Sequence, residues 1–131
     1  EIKGYEKNLF YAMEETDLSW RLINAGWDIY YDADLKIEHP MVEPTRHTNS
    51  VELTSRNRAW IARKNLPYPL AILFILTWLI ISSIRNINSL SSLKALYKGF
   101  FNGLILFPLK RSPIQWKTVF KLSRLGRPPF I

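Results

Sequence analysis

Hydrophobic residues recur at helical spacing in the first part of the chain. Leu18, Leu22 and Ala25 fall on one face of a helix that the spacing predicts over residues 14–25, and they form its inward stripe. Gly26 stands directly after this stripe, where helices commonly end in a left-handed residue. The pattern therefore predicts an amphipathic helix that ends at the glycine.

The residues after this helix favour extended structure. Residues 28–31 and 35–38 are rich in aromatic and aliphatic side chains, which fit the pleated surface of a sheet. The Asp-Ala-Asp sequence at 32–34 predicts the turn between two strands, and two prolines within 38–46 predict an irregular loop. The segment before the helix predicts a loop with three aromatic anchors, which are Tyr5, Phe10 and Tyr11.

A second helix is predicted over residues 50–64. Asn49 and Glu52 have the three-residue spacing of a capping box, and Pro67 ends the pattern. A nearly unbroken apolar run, 70–84, follows and would be ~22 Å long as a helix. That is short for an untilted span of a bilayer core of ~30 Å. The run is nevertheless apolar on every side, unlike a surface helix of a soluble domain.

A further helix is predicted over residues 93–106. Its second half belongs to an apolar and aromatic stretch, 99–109, that Lys98 and Lys110 bracket. Basic residues beside such stretches favour an anionic membrane surface over a nucleic acid, with a buried core helix as the alternative. The tail, 112–131, is expected to be amphipathic, or disordered without a membrane.

Charge divides the chain into two unlike parts. Residues 1–50 carry five basic and ten acidic residues, a net charge of −5, whereas residues 51–131 carry thirteen basic residues and one acidic residue, a net charge of +12. The basic part is suited to anionic partners. The absence of cysteine excludes disulfides and thiolate metal sites. Because the chain begins without methionine, we expect it to be part of a longer protein with an upstream half.

Three carboxylates crowd the start of the first helix. Glu14, Glu15 and Asp17 repel one another, and such crowding is more often found where a metal, a cation or a proton transfer uses it. Asp17 and Arg21 have the spacing of a helical ion pair. Glu15 precedes Leu18 by three residues, so we expect it to face the protein, either as a general base for a hydroxyl or as an acid that complements the helix dipole.

Other polar residues suit a phosphate-bound metal. His39 follows the second predicted strand and is either a hydrogen-bonding loop residue or a ligand for a divalent metal. Arg56, Asn57 and Arg58 are suited to clamp a diphosphate, since guanidinium groups match phosphate oxygens. A helix that covers membrane headgroups would carry the same residues.

The order of residues from 14 onward is acid, acid, any residue, Asp-Leu, two residues and Arg, followed by glycine, a predicted hairpin and a histidine. This order resembles the C-terminal half of a family 2 glycosyltransferase, the inverting GT-A class that uses nucleotide-sugar donors. The likeness covers residues 10–67. Residues 94–104 also look like the membrane-associated tails of bacterial rhamnosyltransferase-like members.

The resemblance implies an α/β fragment, the C-terminal half of a GT-A fold. An acidic helix, a short β hairpin and a basic helix would be followed by membrane-associated helices. Residues 1–67 would be the acceptor-side part of the catalytic domain, residues 68–111 the apolar membrane-associated helices, and residues 112–131 a basic tail.

The resemblance also assigns roles to individual residues. Glu14 and Glu15 match the family's acidic pair, with Glu15 as the general base, and Asp17 lies with them on the acceptor side. His39 falls where some members place a metal or diphosphate ligand. Four side chains are implied in substrate binding: Trp20, Arg21, Arg56 and Arg58.

The implied activity is transfer of a sugar from a nucleotide-diphospho-sugar to a hydroxyl of a lipid-linked or surface-polysaccharide acceptor, with inversion. A divalent metal, Mg²⁺ or Mn²⁺, would be held mainly by the upstream half, so this part alone would be inactive. The protein would lie on the cytoplasmic face of the cell membrane, peripheral, monotopic or spanning, without a nucleic-acid partner. The alternative is a non-enzymatic membrane-docking or assembly module in which residues 51–131 matter.

Overall fold

The computed structural model describes residues 2–38 and 49–130. These residues form five α-helices and one short 3₁₀ helix, Lys7–Leu9. The α-helices are α1 (Glu14–Asn24), α2 (Ser50–Asn65), α3 (Tyr68–Arg85), α4 (Leu90–Ile105) and α5 (Trp116–Arg124). The second half of α2 is buried on most of its faces, because α1, α3 and α4 all pack against it.

Two glycines allow α4 to lie very close to α2. A methyl group at Gly103 would lie 2.7 Å from the Cβ atom of Ala59 and 2.7 Å from the carbonyl oxygen of Arg56. A methyl group at Gly99 would meet the backbone of Glu52. The four-residue spacing places both glycines on one face of α4, so the two helix backbones approach more closely than larger residues would permit.

The core joins segments that are distant in sequence. Leu9 from the first loop is fully buried against residues of α2, α3 and the C-terminal segment. The side-chain oxygen of Asn24 accepts hydrogen bonds from the backbone N–H of Gln115 at 2.8 Å and from the Thr118 hydroxyl at 2.9 Å. Asn24 therefore fixes the start of α5 to the end of α1.

The predicted α/β fold is wrong for the part of the chain that the structure describes. Residues 2–38 and 49–130 contain helices and no strand, so the β hairpin of a GT-A fragment is absent there. The predicted turn exists, since Asp34 donates its backbone N–H to the Asp32 carboxylate at 2.9 Å. Its two flanks do not pair, and the Tyr31 side chain is 92% exposed. Residues with strand propensity form the hydrogen bonds of a sheet only when a second extended segment lies beside them.

The helix predictions are confirmed with small shifts of their ends. Gly26 has the expected left-handed conformation, with φ at +94°. The α4 helix starts at Leu90, where the Ser89 hydroxyl accepts a hydrogen bond from the Ser92 backbone N–H at 3.3 Å. The capping box at Asn49 does not form, because its side chain makes no capping hydrogen bond. Helix α5 is the amphipathic helix expected in the tail.

Candidate functional site

The loop before α1 has an unusual backbone. Tyr11, Ala12 and Met13 have positive φ angles of 69°, 70° and 75°, a conformation that costs about 1–2 kcal/mol per residue for L-amino acids. The buried side-chain amide of Asn57 on α2 compensates by donating to the carbonyl oxygens of Tyr11 at 2.8 Å and Ala12 at 2.9 Å. Consecutive strained residues of this kind cluster at functional sites.

Arg56 supports this arrangement from the same helix. Its guanidinium donates to the side-chain oxygen of Asn57 at 3.1 Å and 3.0 Å, and it lies 4.2 Å from the ring centre of Trp60. Partial burial lowers the pKa of Arg56, and the nearby Glu52 carboxylate opposes that change. Arg56 therefore orients Asn57, and Asn57 in turn holds the left-handed turn.

The turn places two carboxylates in an open groove of about 440 Å³. Glu14 and Glu15, the first residues of α1, line the groove together with three aromatic side chains of the preceding loop, those of Tyr5, Phe10 and Tyr11. Glu15 is exposed, whereas Glu14 is half-buried and its Oε2 atom has no hydrogen-bond partner among the described residues. Glu6, Lys7 and Leu9 complete the lining, so the groove combines acidic, basic and aromatic residues.

The prediction that Glu15 faces the protein interior is wrong. The buried positions of α1 are Asp17 and Trp20, and Leu18 and Leu22 are only half-buried. The helix is rotated away from the predicted stripe because the buried Asp17 carboxylate is stabilised not only by Arg21 but also by Lys64 and Asn65 of α2, which lie far from it in the sequence. This rotation exposes Glu15 at the groove.

Asp17 is the centre of a buried polar network. Its side chain is fully buried and accepts from Arg21 Nε at 2.8 Å and from Asn65 Nδ2 at 2.7 Å, and it pairs with Lys64 Nζ at 2.8 Å. The predicted Asp17–Arg21 ion pair is confirmed. Two cations and an amide offset the cost of removing a carboxylate from water.

The same network holds the start of the chain. Arg21 donates to the carbonyl oxygens of Lys3 at 2.7 Å and Gly4 at 2.8 Å, while the buried Trp20 forms a T-shaped pair with Phe74 at a distance of 6.0 Å between ring centres. The structure thus places Asp17, Trp20 and Arg21 in the framework behind the groove. Their proposed roles in catalysis and substrate binding stay predictions.

Arg58 lies apart from Arg56. Positions two apart on a helix do not face each other, and Arg58 turns toward α3, where it donates to the Ser82 hydroxyl at 2.9 Å. Its guanidinium is 4.0 Å from the ring centre of Trp78. The structure therefore does not join Arg56 and Arg58 in one diphosphate clamp.

The metal prediction finds no support among residues 2–38 and 49–130. No group of three His, Cys, Asp or Glu side chains that would hold a metal occurs in those ranges. His39, the predicted ligand, lies outside the described residues.

Helix α3 is long and apolar enough to cross a membrane by length and composition. Only 17% of this 18-residue segment is buried within the protein, in contrast to a core helix of a soluble domain. Its exposed side includes five large aliphatic side chains: Ile72, Leu73, Leu76, Ile80 and Ile84.

Comparison of the chain with models of protein families, with curated proteins and with solved structures gave no match. The site is therefore defined by its own geometry. Its least expected component is Asn57, whose hydrogen bonds reach residues more than forty positions earlier in the chain. The local sequence gives no signal of this role, because Asn57 stands between two arginines in a polar part of α2.

Proposed function

We propose that this chain is the acceptor-binding, membrane-associated part of an inverting glycosyltransferase. The enzyme moves a sugar from a nucleotide-diphospho-sugar to a hydroxyl of a lipid-linked or surface-polysaccharide acceptor. One observation supports this proposal above the others: Glu14 and Glu15 line a groove together with three aromatic residues. Ring faces offer apolar area to a sugar, and a carboxylate within reach of its hydroxyl is suited to accept a proton.

Glu15 acts as the general base in this proposal. It takes the proton of the acceptor hydroxyl while that oxygen attacks the anomeric carbon, and the bond between this carbon and the diphosphate oxygen breaks. The nucleotide diphosphate leaves with the bonding electrons, so the configuration at the anomeric carbon inverts. Exposure of Glu15 at the groove gives an incoming acceptor direct access to the carboxylate.

The membrane part of the proposal rests on surface composition. Helix α3 exposes a row of aliphatic side chains, and α5 exposes Trp116 and Phe120 close to Lys117 and Arg124 in sequence. Aromatic and basic side chains on one short amphipathic helix suit the interface of an anionic leaflet. This arrangement would keep the groove near a lipid-anchored acceptor on the cytoplasmic face, with the protein peripheral or monotopic.

The proposed divalent metal enters no step here, since the described residues provide no cluster for it. In this proposal a metal would be held by parts of the protein outside the described ranges.

The test is to incubate the whole protein in membranes with a panel of nucleotide-diphospho-sugars. Release of nucleotide diphosphate and a product whose anomeric configuration is inverted, measured by nuclear magnetic resonance, are the expected results. Retention of configuration, or no consumption of any sugar nucleotide, would contradict the proposal.

A second candidate function is favoured by the uncovered apolar row of α3. The chain would then be a non-enzymatic membrane-docking module whose acidic helix is only structural. Vesicle flotation of the whole chain together with a complete lack of sugar transfer would support this function over the first.

A further inference from the structure

A second pocket, lined mainly by basic and hydroxyl side chains, shares Tyr11 with the groove but none of the groove's carboxylates. It has a volume of about 300 Å³ and lies between the first half of α2, the C-terminal end of α3 and α4. Arg58, Ser82, Arg85 and Asn86 contribute the polar groups from the α2 and α3 sides. Among the described residues, no carboxylate lines it.

The two arginines form an unusual pair. Arg58 and Arg85 are close enough for their positive charges to disfavour each other, and burial together with the charge of Arg85 lowers the pKa of Arg58 to about 10. Glu52, the single acid of α2, instead pairs with Lys98 at 3.1 Å. The pocket therefore holds concentrated positive charge that the described part of the protein does not neutralise.

The donors of Arg58 are only partly satisfied. One terminal nitrogen donates to Ser82 and the guanidinium lies over Trp78, yet Nε is buried without a hydrogen-bond partner among the described residues. A buried donor left in this state is costly unless a further acceptor reaches it. A phosphate oxygen is an acceptor of the right charge for a guanidinium.

The start of α2 adds further donors on the same wall. Ser50 and Thr54 line the pocket, and the Asn49 side chain makes no capping hydrogen bond to the first turn. The N–H groups at the start of a sixteen-residue helix favour an anion nearby, and here the N-cap side chain does not reach them.

We propose that this pocket binds the phosphate group of a membrane lipid, with the lipid chain along the exposed side of α3. Arg85 is the last residue of α3, and Ile80 and Ile84 beside it are exposed, so the pocket lies at the headgroup end of the apolar row. Lysine and arginine at the end of an apolar helix commonly lie at the headgroup level. The inference rests on the proposed function for its biological meaning, since a lipid-linked acceptor would present such a phosphate next to the enzyme.

The test measures binding without sugar transfer. The whole chain is titrated with phosphatidylcholine vesicles that contain phosphatidic acid, and with vesicles of equal surface charge that contain cholesteryl hemisuccinate, an anionic lipid with a carboxylate in place of a phosphate. We expect preferential binding to phosphatidic acid and a loss of about tenfold in that preference in Arg85→Gln. Arg124→Gln removes the same charge from the exposed side of α5 and is expected to weaken binding to both vesicles equally.

Equal binding of the two vesicle types, or the same loss in Arg85→Gln and Arg124→Gln, would overturn the proposal. A third arm adds inorganic pyrophosphate without vesicles. Saturable binding of pyrophosphate that depends on Arg85, with no preference among vesicles, would assign the pocket to a soluble diphosphate and overturn its assignment to a lipid. Because Arg85 ends an exposed helix, its substitution is expected to leave the fold intact, which circular dichroism checks. Failure of this test leaves the role of Glu15 untouched, and failure of sugar transfer leaves phosphate binding untouched.

Discussion

The side-chain amide of Asn57 donates a 2.9 Å hydrogen bond to the carbonyl oxygen of Ala12 and so fixes the groove beside Glu14 and Glu15 to α2, the helix with the most buried residues in the described part of the chain. Ala12 is the middle residue of the left-handed turn that leads into α1. The position of Glu14 and Glu15 therefore depends on a residue about forty positions later in the chain. Substitutions of α2 residues should therefore alter the groove even where those residues touch no ligand.

Replacement of Asn57 by alanine tests this dependence. The substitution leaves carbonyl oxygens of the strained turn without a donor, and we expect the free energy of unfolding to fall by about 1–3 kcal/mol. Urea denaturation measures the loss. Asn88→Ala, at an exposed position between α3 and α4, is the control and should change stability by less than about 0.5 kcal/mol. Equal stability of the two variants would show that the turn keeps its conformation without the hydrogen bonds from Asn57.

The close approach of α2 and α4 leads to a second prediction, which concerns the stability of a variant at Gly103. Gly103→Ala brings a methyl group within 2.7 Å of Ala59 and of the Arg56 carbonyl, so the helices must separate. We expect a loss of about 1–3 kcal/mol in the free energy of unfolding. Gly4→Ala, which meets no atom within 4 Å, should be nearly neutral. A tolerated alanine at position 103 would mean that the helices lie farther apart than described.

A substitution at Asp17 distinguishes a structural role of this residue from a catalytic one. Asp17→Asn removes the carboxylate that pairs with Arg21 and the nearer of the two that pair with Lys64, whose other partner is Glu6 at 3.5 Å. Because this network is buried, the expected loss of stability is about 3–5 kcal/mol. Thermal unfolding measures it, with Asp34→Asn as an exposed control. Normal stability combined with lost sugar transfer would instead place Asp17 among the catalytic residues.

Removal of one arginine from the pair in the second pocket is expected to stabilise the folded protein. Because Arg85 and Arg58 disfavour each other's charge, Arg85→Gln should raise the melting temperature in phosphate-free buffer of low ionic strength, and added salt should reduce the gain. The pH dependence of this gain in melting temperature follows from the pKa of Arg58, which is lower than usual in the folded protein. Repulsion is present while Arg58 is protonated, so the gain should shrink as the pH rises through about 10. A melting temperature that falls in Arg85→Gln at neutral pH would contradict this interpretation.

The helices were predictable because their signals are local. Gly26 ended α1 as expected, and the apolar run gave α3, since periodicity and a left-handed glycine depend on neighbouring residues alone. The rotation of α1 was not predictable, because Asp17 is buried through partners on α2 that lie 47 and 48 positions later in the sequence. The strand prediction failed for a related reason, since pairing needs a second chain segment at the right place.

The loop before α1 shows the same limit. The sequence predicts Tyr5 and Phe10 as its anchors, yet they are 61% and 71% exposed and Leu9 is the buried anchor. Exposure of these rings is what gives the groove its walls. A sequence pattern identifies residues with large apolar area, and only tertiary packing decides which of them are buried.

The most direct measurement is a comparison of turnover and donor affinity for Glu15→Gln in the whole protein. Glutamine keeps the shape of the side chain but cannot accept the acceptor's proton, so kcat should fall by about 10²–10⁴-fold while the Kd for the sugar nucleotide stays unchanged. Asp34→Asn, an exposed carboxylate outside the groove, should retain wild-type turnover. Wild-type kcat in Glu15→Gln would remove Glu15 from the reaction and contradict the proposed enzymatic function of the groove.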